Sequence, residues 1–390
     1  MLTDRIRRIS ESATLAMTAK TAELRSSGIK VINLSVGEPD FQTPHNIREA
    51  GKMAIDAGHT RYTPGGGTID LKKAASQKME RDNNLHYEPN EILISCGAKH
   101  SLYNACQVLF QTNDEVIIFS PYWVSFPDFV SITGAKPVFV NTDANNQFSP
   151  DFNDLKNKIT SNTRGIIINS PSNPTGGVWN ENSILKLLDI AKKIDAWVFS
   201  DECYEQLTYD KPFQSIATFE KNYDKILTFQ SCSKTYAMTG WRIGYTAGNK
   251  KIIKAMGKLQ GQSTSCPNAI AQTAAIEALV GDQSHVKTMR EIFKKRRDFV
   301  VERLNNMPNV NCSNPGGAFY VFPDLNNYIH KNSPISSSND LSMYLLEKKS
   351  IASVSGDAFG GSGHIRFSYA ASDDDLLKAM DLLEETLNEL

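Results

Sequence analysis

Between residues 91 and 247 the chain alternates short apolar strands with amphipathic helices, without any internal sequence repeat. A short apolar run is followed by small or polar residues and then, in places, by a stretch with helical spacing. Residues 165–169 (GIIIN) are apolar up to the last position, and the cluster NSPSNPTGG begins there. Residues 91–95 (EILIS), 115–120 (EVIIFS), 137–140, 196–200 (AWVFS), 226–230 (ILTFQ) and 241–247 (WRIGYTA) read as further strands. Residues 99–110 and 182–194 read as helices, the second with Ile184, Leu187, Leu188 and Ala191 on one face. A strand apolar at successive positions is one buried on both faces. Strands alternating with helices therefore predict an α/β fold, a mostly parallel sheet covered on both sides. Ligands in such sheets sit at the carboxyl ends of the strands, so polar residues just after each strand take priority.

The alternation fades near residue 285. A basic helix at 289–304 (MREIFKKRRDFVVERL) opens a second region, with strands at 318–322 (AFYVF) and 364–369 (HIRFSY) and a closing helix at 373–390. The expected organisation is an N-terminal arm with part of a small domain at 1–44, a large ligand-binding domain at 45–285, and a small C-terminal domain at 286–390. The formal net charge of −1 argues against a nucleic-acid partner held by bulk positive charge. No apolar run approaches the roughly 18 residues of a membrane span. Six cysteines without a C-x-x-C pair, and histidines without H-E-x-x-H, leave no metal site and fit a reducing compartment, the cytoplasm. Arg5, Arg7 and Arg8 with Ser10 and Ser12 resemble a transit peptide in composition, but Asp4 and Glu11 interrupt it, so an arm packing on the body is expected.

Four clusters at strand ends carry possible chemistry. Lys234, in Ser231-Cys232-Ser233-Lys234, could form a Schiff base if held partly deprotonated; Ser231, Ser233 and Arg242 could hold a phosphate. Asp201, ending AWVFS, would be a costly buried carboxylate unless a cation such as a protonated pyridine nitrogen faced it. Asn173, in the Pro-rich cluster, could donate to a phenolate oxygen. Gly97, Ala98 and Lys99 lie where a strand meets a helix N-terminus, a natural anion cradle. Trp123, after the next strand, could stack on a flat ring. Taken singly, these residues also fit a surface lysine, a helix cap, an ordinary turn and plain core. Together they supply what pyridoxal 5′-phosphate requires.

With these motifs assembled, the chain resembles a fold-type I, class I aminotransferase of the aspartate aminotransferase-like branch. The likeness covers nearly the whole length through NLSVGEPDF, HTRYTPGGG, SPYWVSFPD, NSPSNPTGG, SDECYE, SKTYAMTGWRIGY and HIRFSY. The resemblance implies a large domain with a mostly parallel sheet, a smaller α/β C-terminal domain and an N-terminal arm. It implies pyridoxal 5′-phosphate as cofactor, with Lys234 as the lysine of the internal aldimine and the proton shuttle. Asp201 matches the partner of the pyridine nitrogen, Tyr204 and Asn173 the pair on the phenolate oxygen, and Trp123 the stacking ring. The backbone of Ala98 and Lys99, after Gly97, matches the phosphate cradle together with Ser231, Ser233 and Arg242. Tyr62 matches a tyrosine reaching a neighbouring subunit's phosphate, which implies a homodimer with shared sites. The bonds 120–121 and 173–174 sit where the family has cis prolines. Arg366 matches the arginine that forks onto the substrate α-carboxylate, with Gly37 as its backbone helper.

For the substrate side chain, Lys99 and Thr14 match the lysine and threonine with which this branch meets a second carboxylate. That implies ping-pong transamination between aspartate or glutamate and 2-oxoglutarate or oxaloacetate. Some members that also use prephenate carry a basic residue two places before the serine matching Ser12; here Ser10, then Glu11, weigh mildly against it. Side activity on aromatic or neutral donors stays open, because a lysine is less selective than a bidentate arginine. A lyase or decarboxylase of the same fold would share the cofactor residues. A DNA-binding regulator would need a further module, and only about 30 residues precede NLSVGEPD. A dinucleotide-dependent dehydrogenase lacks its G-x-G-x-x-G here.

Overall fold

The computed structural model describes residues 2–9, 13–330 and 333–390, without the side chains of 13–16 and 18. Strand β1 (Ile32–Asn33) joins the C-terminal part of the chain. The large sheet comprises β2 (Ile92–Ser95), β3 (Glu115–Ser120), β4 (Lys136–Asp143), β5 (Ser149–Pro150), β6 (Thr163–Asn169), β7 (Trp197–Asp201), β8 (Ile226–Ser231) and β9 (Gly244–Gly248). Their order is β2-β9-β8-β7-β6-β3-β4-β5. Strands β8, β7, β6, β3 and β4 run parallel; β9 is antiparallel to both its neighbours and β5 to β4.

Both faces are covered, and the alternation of side chains explains why the strands are apolar throughout. Ile92, Ile94, Ile117, Ile166, Ile168 and Val198 join one core with the helices Ile69–Asn83, Glu181–Lys193 and Ala269–Val280. Their neighbours Leu93, Val116, Ile118, Ile167 and Phe199 join another with Ala98–Leu109 and Lys250–Ser263. Period-2 alternation thus supplies two apolar faces from one run. A fully buried Ile167 contributes about 2–3 kcal/mol, so its loss to alanine would leave a cavity between layers.

A third core lies around the C-terminal strands β10 (Tyr320–Val321), β11 (Ile351–Ala352), β12 (Val354–Ser355) and β13 (Ile365–Ser368), with the helices Ser284–Asn306, Ser338–Lys349 and Asp373–Glu389. Strand β1 pairs in parallel with β11, and Leu34 is buried in this core. The last helix is capped by Ser372, which accepts from the Asp375 amide, and opens with Asp373, Asp374 and Asp375 against the positive end of its dipole.

Two sequence expectations need correction. Residues 241–243 are not strand: Thr239–Trp241 is a 3₁₀ turn, Arg242 takes φ +57°, and β9 starts only at Gly244. The strand expected at 318–322 is only Tyr320–Val321, because Ala318 sits at φ +58°. The peptide bonds Ser120–Pro121 and Asn173–Pro174 are cis as expected, and Ser170–Pro171 is cis as well.

Candidate active site

Strands β2, β8, β7, β6 and β3 point the same way, so their carboxyl ends share one edge of the sheet. A cavity of about 320 Å³ opens there, beside Ser35-Val36-Gly37 of the N-terminal segment and Tyr320 and Arg366 of the C-terminal strands. Of the residues singled out from sequence, Gly37, Ala98, Lys99, Trp123, Asn173, Asp201, Tyr204, Ser231, Ser233, Lys234, Arg242 and Arg366 line it. Gly97 lies just behind the wall. Tyr62 does not reach the cavity and is 89% exposed. Thr14 belongs to the helix Ala13–Ser26, but its side chain lies outside the described residues.

Each residue is held by its element. Lys234 follows β8 in a single turn whose Ser231 hydroxyl accepts from the Ser233 amide at 3.0 Å. Its Nζ donates to the Gly37 carbonyl, and burial brings its pKa down from 10.5 to about 8. Asp201 is the last residue of β7 and accepts from the Cys203 amide at 3.2 Å. Burial pushes its carboxyl up from 3.8 to about 6, against smaller opposing effects from Cys203 and Lys234. The Tyr204 hydroxyl meets that of Tyr320 at 2.9 Å, and burial raises its pKa well above 10, so it stays a phenol.

Arg366 is buried on β13 with no carboxylate partner in its hydrogen bonds. Nη1 donates to Asn173 Oδ1 at 2.9 Å and Nη2 to the Ser35 carbonyl at 2.7 Å, while Nε has no partner among the described residues. Its guanidinium lies 4.5 Å from the Tyr320 ring centre and 5.0 Å from that of Phe359. A buried cation held only by neutral groups is suited to an incoming anion. Because Asn173 spends its oxygen on Arg366, its amide NH₂ is the end left for an acceptor. At the exposed side, Lys99 Nζ stands 5.1 Å from the Trp123 ring centre.

The anion cradle is equally specific. Gly97 has φ +84°, and a Cβ there would lie 2.3 Å from Arg242 Nη2. A Cβ on Gly244 would lie 2.2 Å from the Ala98 nitrogen. Only glycine at both positions lets Arg242 and the start of the helix Ala98–Leu109 close together. That helix has no side-chain cap, and its first residues Ala98 and Lys99 line the same cavity as Ser231 and Ser233.

Residues 29–382 match the family model for aminotransferase class I and II. The chain belongs to that family. It is 45% identical to the aspartate/prephenate aminotransferase of Cereibacter sphaeroides, over 97% of this chain and 96% of that one. It is 41% identical to the aspartate aminotransferase of Bacillus subtilis, over 100% and 98% of the two chains. Its fold matches the aspartate aminotransferase of Thermus thermophilus solved with maleate at a TM-score of 0.94, with 37% identity over 99% of each chain.

As an aminotransferase of this family, the enzyme depends on pyridoxal 5′-phosphate and a lysine amine. The residues present fit that cofactor. Asp201 is a buried carboxylate short of a cation, as a partner for a protonated ring nitrogen must be. The glycine-lined cradle offers amides, hydroxyls and a guanidinium to a phosphate. Ser35 and Tyr320 escaped the sequence reading. Ser35 sits in the same NLSVGEPDF motif as Gly37. Tyr320 carried a weaker signal, a lone hydroxyl in the apolar run AFYVF, which must find a partner when buried.

Proposed function

We propose that this aminotransferase moves the amino group of L-aspartate or L-glutamate to 2-oxoglutarate or oxaloacetate by a ping-pong cycle, in the cytoplasm. The observation that carries the donor assignment is two cations on one cavity: buried Arg366, short of an anion, and Lys99 at the exposed side. A dicarboxylate would engage both, one at each end. The relatives named above are an aspartate and an aspartate/prephenate aminotransferase, which supports the same class of donor. We further propose domains at 45–285 and 286–390, with 1–44 as arm and part of the small domain. Support comes from the separate apolar cores and from Ile32 and Leu34 joining the C-terminal one.

The roles follow from the geometry. Pyridoxal phosphate, when bound, supplies an electron-withdrawing ring conjugated to the substrate nitrogen. Arg366 forks onto the α-carboxylate, which fixes the direction of the Cα–H bond. Lys234, with a pKa near 8, is partly free amine at neutral pH and takes that proton and returns it. Asp201 would pair with the ring nitrogen and keep it protonated, Tyr204 and the Asn173 amide would donate to the phenolate oxygen, and Trp123 would supply the stacking face. The backbone of Ala98 and Lys99, with Ser231, Ser233 and Arg242, would hold the phosphate, with Gly37 as backbone helper at the substrate carboxylate and Thr14 at its second one. The exposed Tyr62 supports a homodimer in which it reaches the partner's phosphate.

Prephenate as a second amino acceptor is favoured by the Cereibacter relative. Ser10 and Glu11, which weigh against it, lie outside the described residues. Steady-state rates with aspartate and phenylalanine test the main reading. Lys99→Ser should lower kcat/KM for aspartate by about tenfold or more, the worth of one charged hydrogen bond, and spare phenylalanine. Equal losses on both donors would remove Lys99 as the discriminator.

A further inference from the structure

The segments that line the cavity also carry a second row of buried side chains, two of which bond a buried lysine directly. Glu202 follows Asp201, Glu205 follows Tyr204, and Gln230 precedes Ser231. All three are buried, as are Lys78 and Asn83 from the helix Ile69–Asn83. Lys78 is 1% exposed and donates to Glu205 Oε1 at 2.5 Å, Gln230 Oε1 at 2.9 Å and Asn83 Oδ1 at 3.0 Å. Its three ammonium hydrogens are thus spent on three different segments. Gln230 Nε2 donates to Asn83 Oδ1 at 3.1 Å and to Glu202 Oε2 at 3.2 Å. The second Glu205 oxygen accepts from Asn83 Nδ2 at 3.1 Å, and Glu202 Oε1 accepts from Ser200 and Ser215.

We propose that Lys78 is a positioning residue for the cofactor end of the site. It touches neither cofactor nor substrate. Through Glu205 it ties the turn that carries Asp201 and Tyr204; through Gln230 it ties the strand end that carries Ser231, Ser233 and Lys234. Both are locked to the helix Ile69–Asn83, so the ring-nitrogen partner and the phosphate cradle keep a fixed separation. Loosening that tie would cost most where two ends of one rigid ligand must be met at once. The inference rests on the cofactor roles proposed above.

Titration of cofactor-free protein with pyridoxal phosphate, followed by absorbance, tests it without turnover. The parent protein must bind; a parent that takes up no cofactor overturns the cofactor roles and this inference together. Lys78→Met should weaken binding by about tenfold or more, the scale on which outer-layer partners act. It would also leave the buried Glu205 carboxylate without its cation, which destabilises the fold. The double variant Lys78→Met/Glu205→Gln removes both charges and is expected to fold, because a buried pair removed together is tolerated. It should still bind cofactor about tenfold more weakly, since the Lys78 bonds to both segments are gone and only the single Asn83 bonds to Gln230 and residue 205 still hold them to the helix. A folded double variant with the parent's affinity would show that Lys78 serves stability alone and would overturn the proposal.

Discussion

The two sides of the turn after β7 obey opposite rules. Asp201 and Tyr204, toward the cavity, keep groups in reserve: a carboxyl whose proton is held to about 6, and a phenol whose one hydrogen-bond partner is another phenol. Glu202 and Glu205, toward the helix Ile69–Asn83, are bonded through every carboxylate oxygen. The one short segment 201–205 thus builds a site with two of its side chains and a support with two others. A binding surface must stay unsatisfied until its ligand arrives, whereas buried polar groups elsewhere must be satisfied in the fold. Arg366 obeys the first rule and Lys78 the second, though both are buried cations.

The sharpest way to break this contrast is at Lys234. Lys234→Ala should leave the fold and its melting temperature near those of the parent, because the side chain's one hydrogen bond is to the Gly37 carbonyl. Turnover of aspartate should fall by roughly 10⁴-fold, the loss of the proton-transferring group. Retained turnover in stopped assays would show that the cavity row is not the reactive one.

A smaller effect sharpens the contrast at Asp201. An unfolded aspartate releases its proton near 3.8, but the folded protein holds this one to about 6. The folded state therefore binds the extra proton in between, so stability present at low pH is lost as pH rises through about 6. Glu202, held to about 7 by burial, contributes with the same sign. In cofactor-free protein, Asp201→Asn should flatten that decline by on the order of 3 kcal/mol. Saturating cofactor should flatten it in the parent too, because an opposed cation favours the carboxylate. Chemical denaturation across about pH 4 to 7 reads both, and parallel curves for parent and variant would contradict the assignment of Asp201.

Much of the cavity row was legible because it follows runs of apolar residues whose ends are hard to misplace. GIIIN, AWVFS and ILTFQ mark the edge where Asn173, Asp201 and Lys234 stand, and the resemblance gave each a role. The supporting row was not legible. Lys78 falls on the buried face of its helix, with Leu71, Ala74, Ala75 and Met79, but its local sequence does not name the groups that satisfy a cation there. Its partners lie 127 and 152 positions away, so only the fold brings them together. Arg242 shows the converse: its place on the cavity was legible, but its conformation was not. A run such as WRIGYTA has strand composition, yet the close approach of Arg242 to Gly97 requires the left-handed turn that delays β9.

The absorbance spectrum of the purified protein loaded with pyridoxal phosphate, titrated with aspartate and then with 2-oxoglutarate, tests the central claim most directly. The expected result is a visible-edge band that shifts with aspartate and returns with 2-oxoglutarate, because the cavity holds cations for both carboxylates of each. A band that shifts with alanine or phenylalanine but not with aspartate would contradict the dicarboxylate reading.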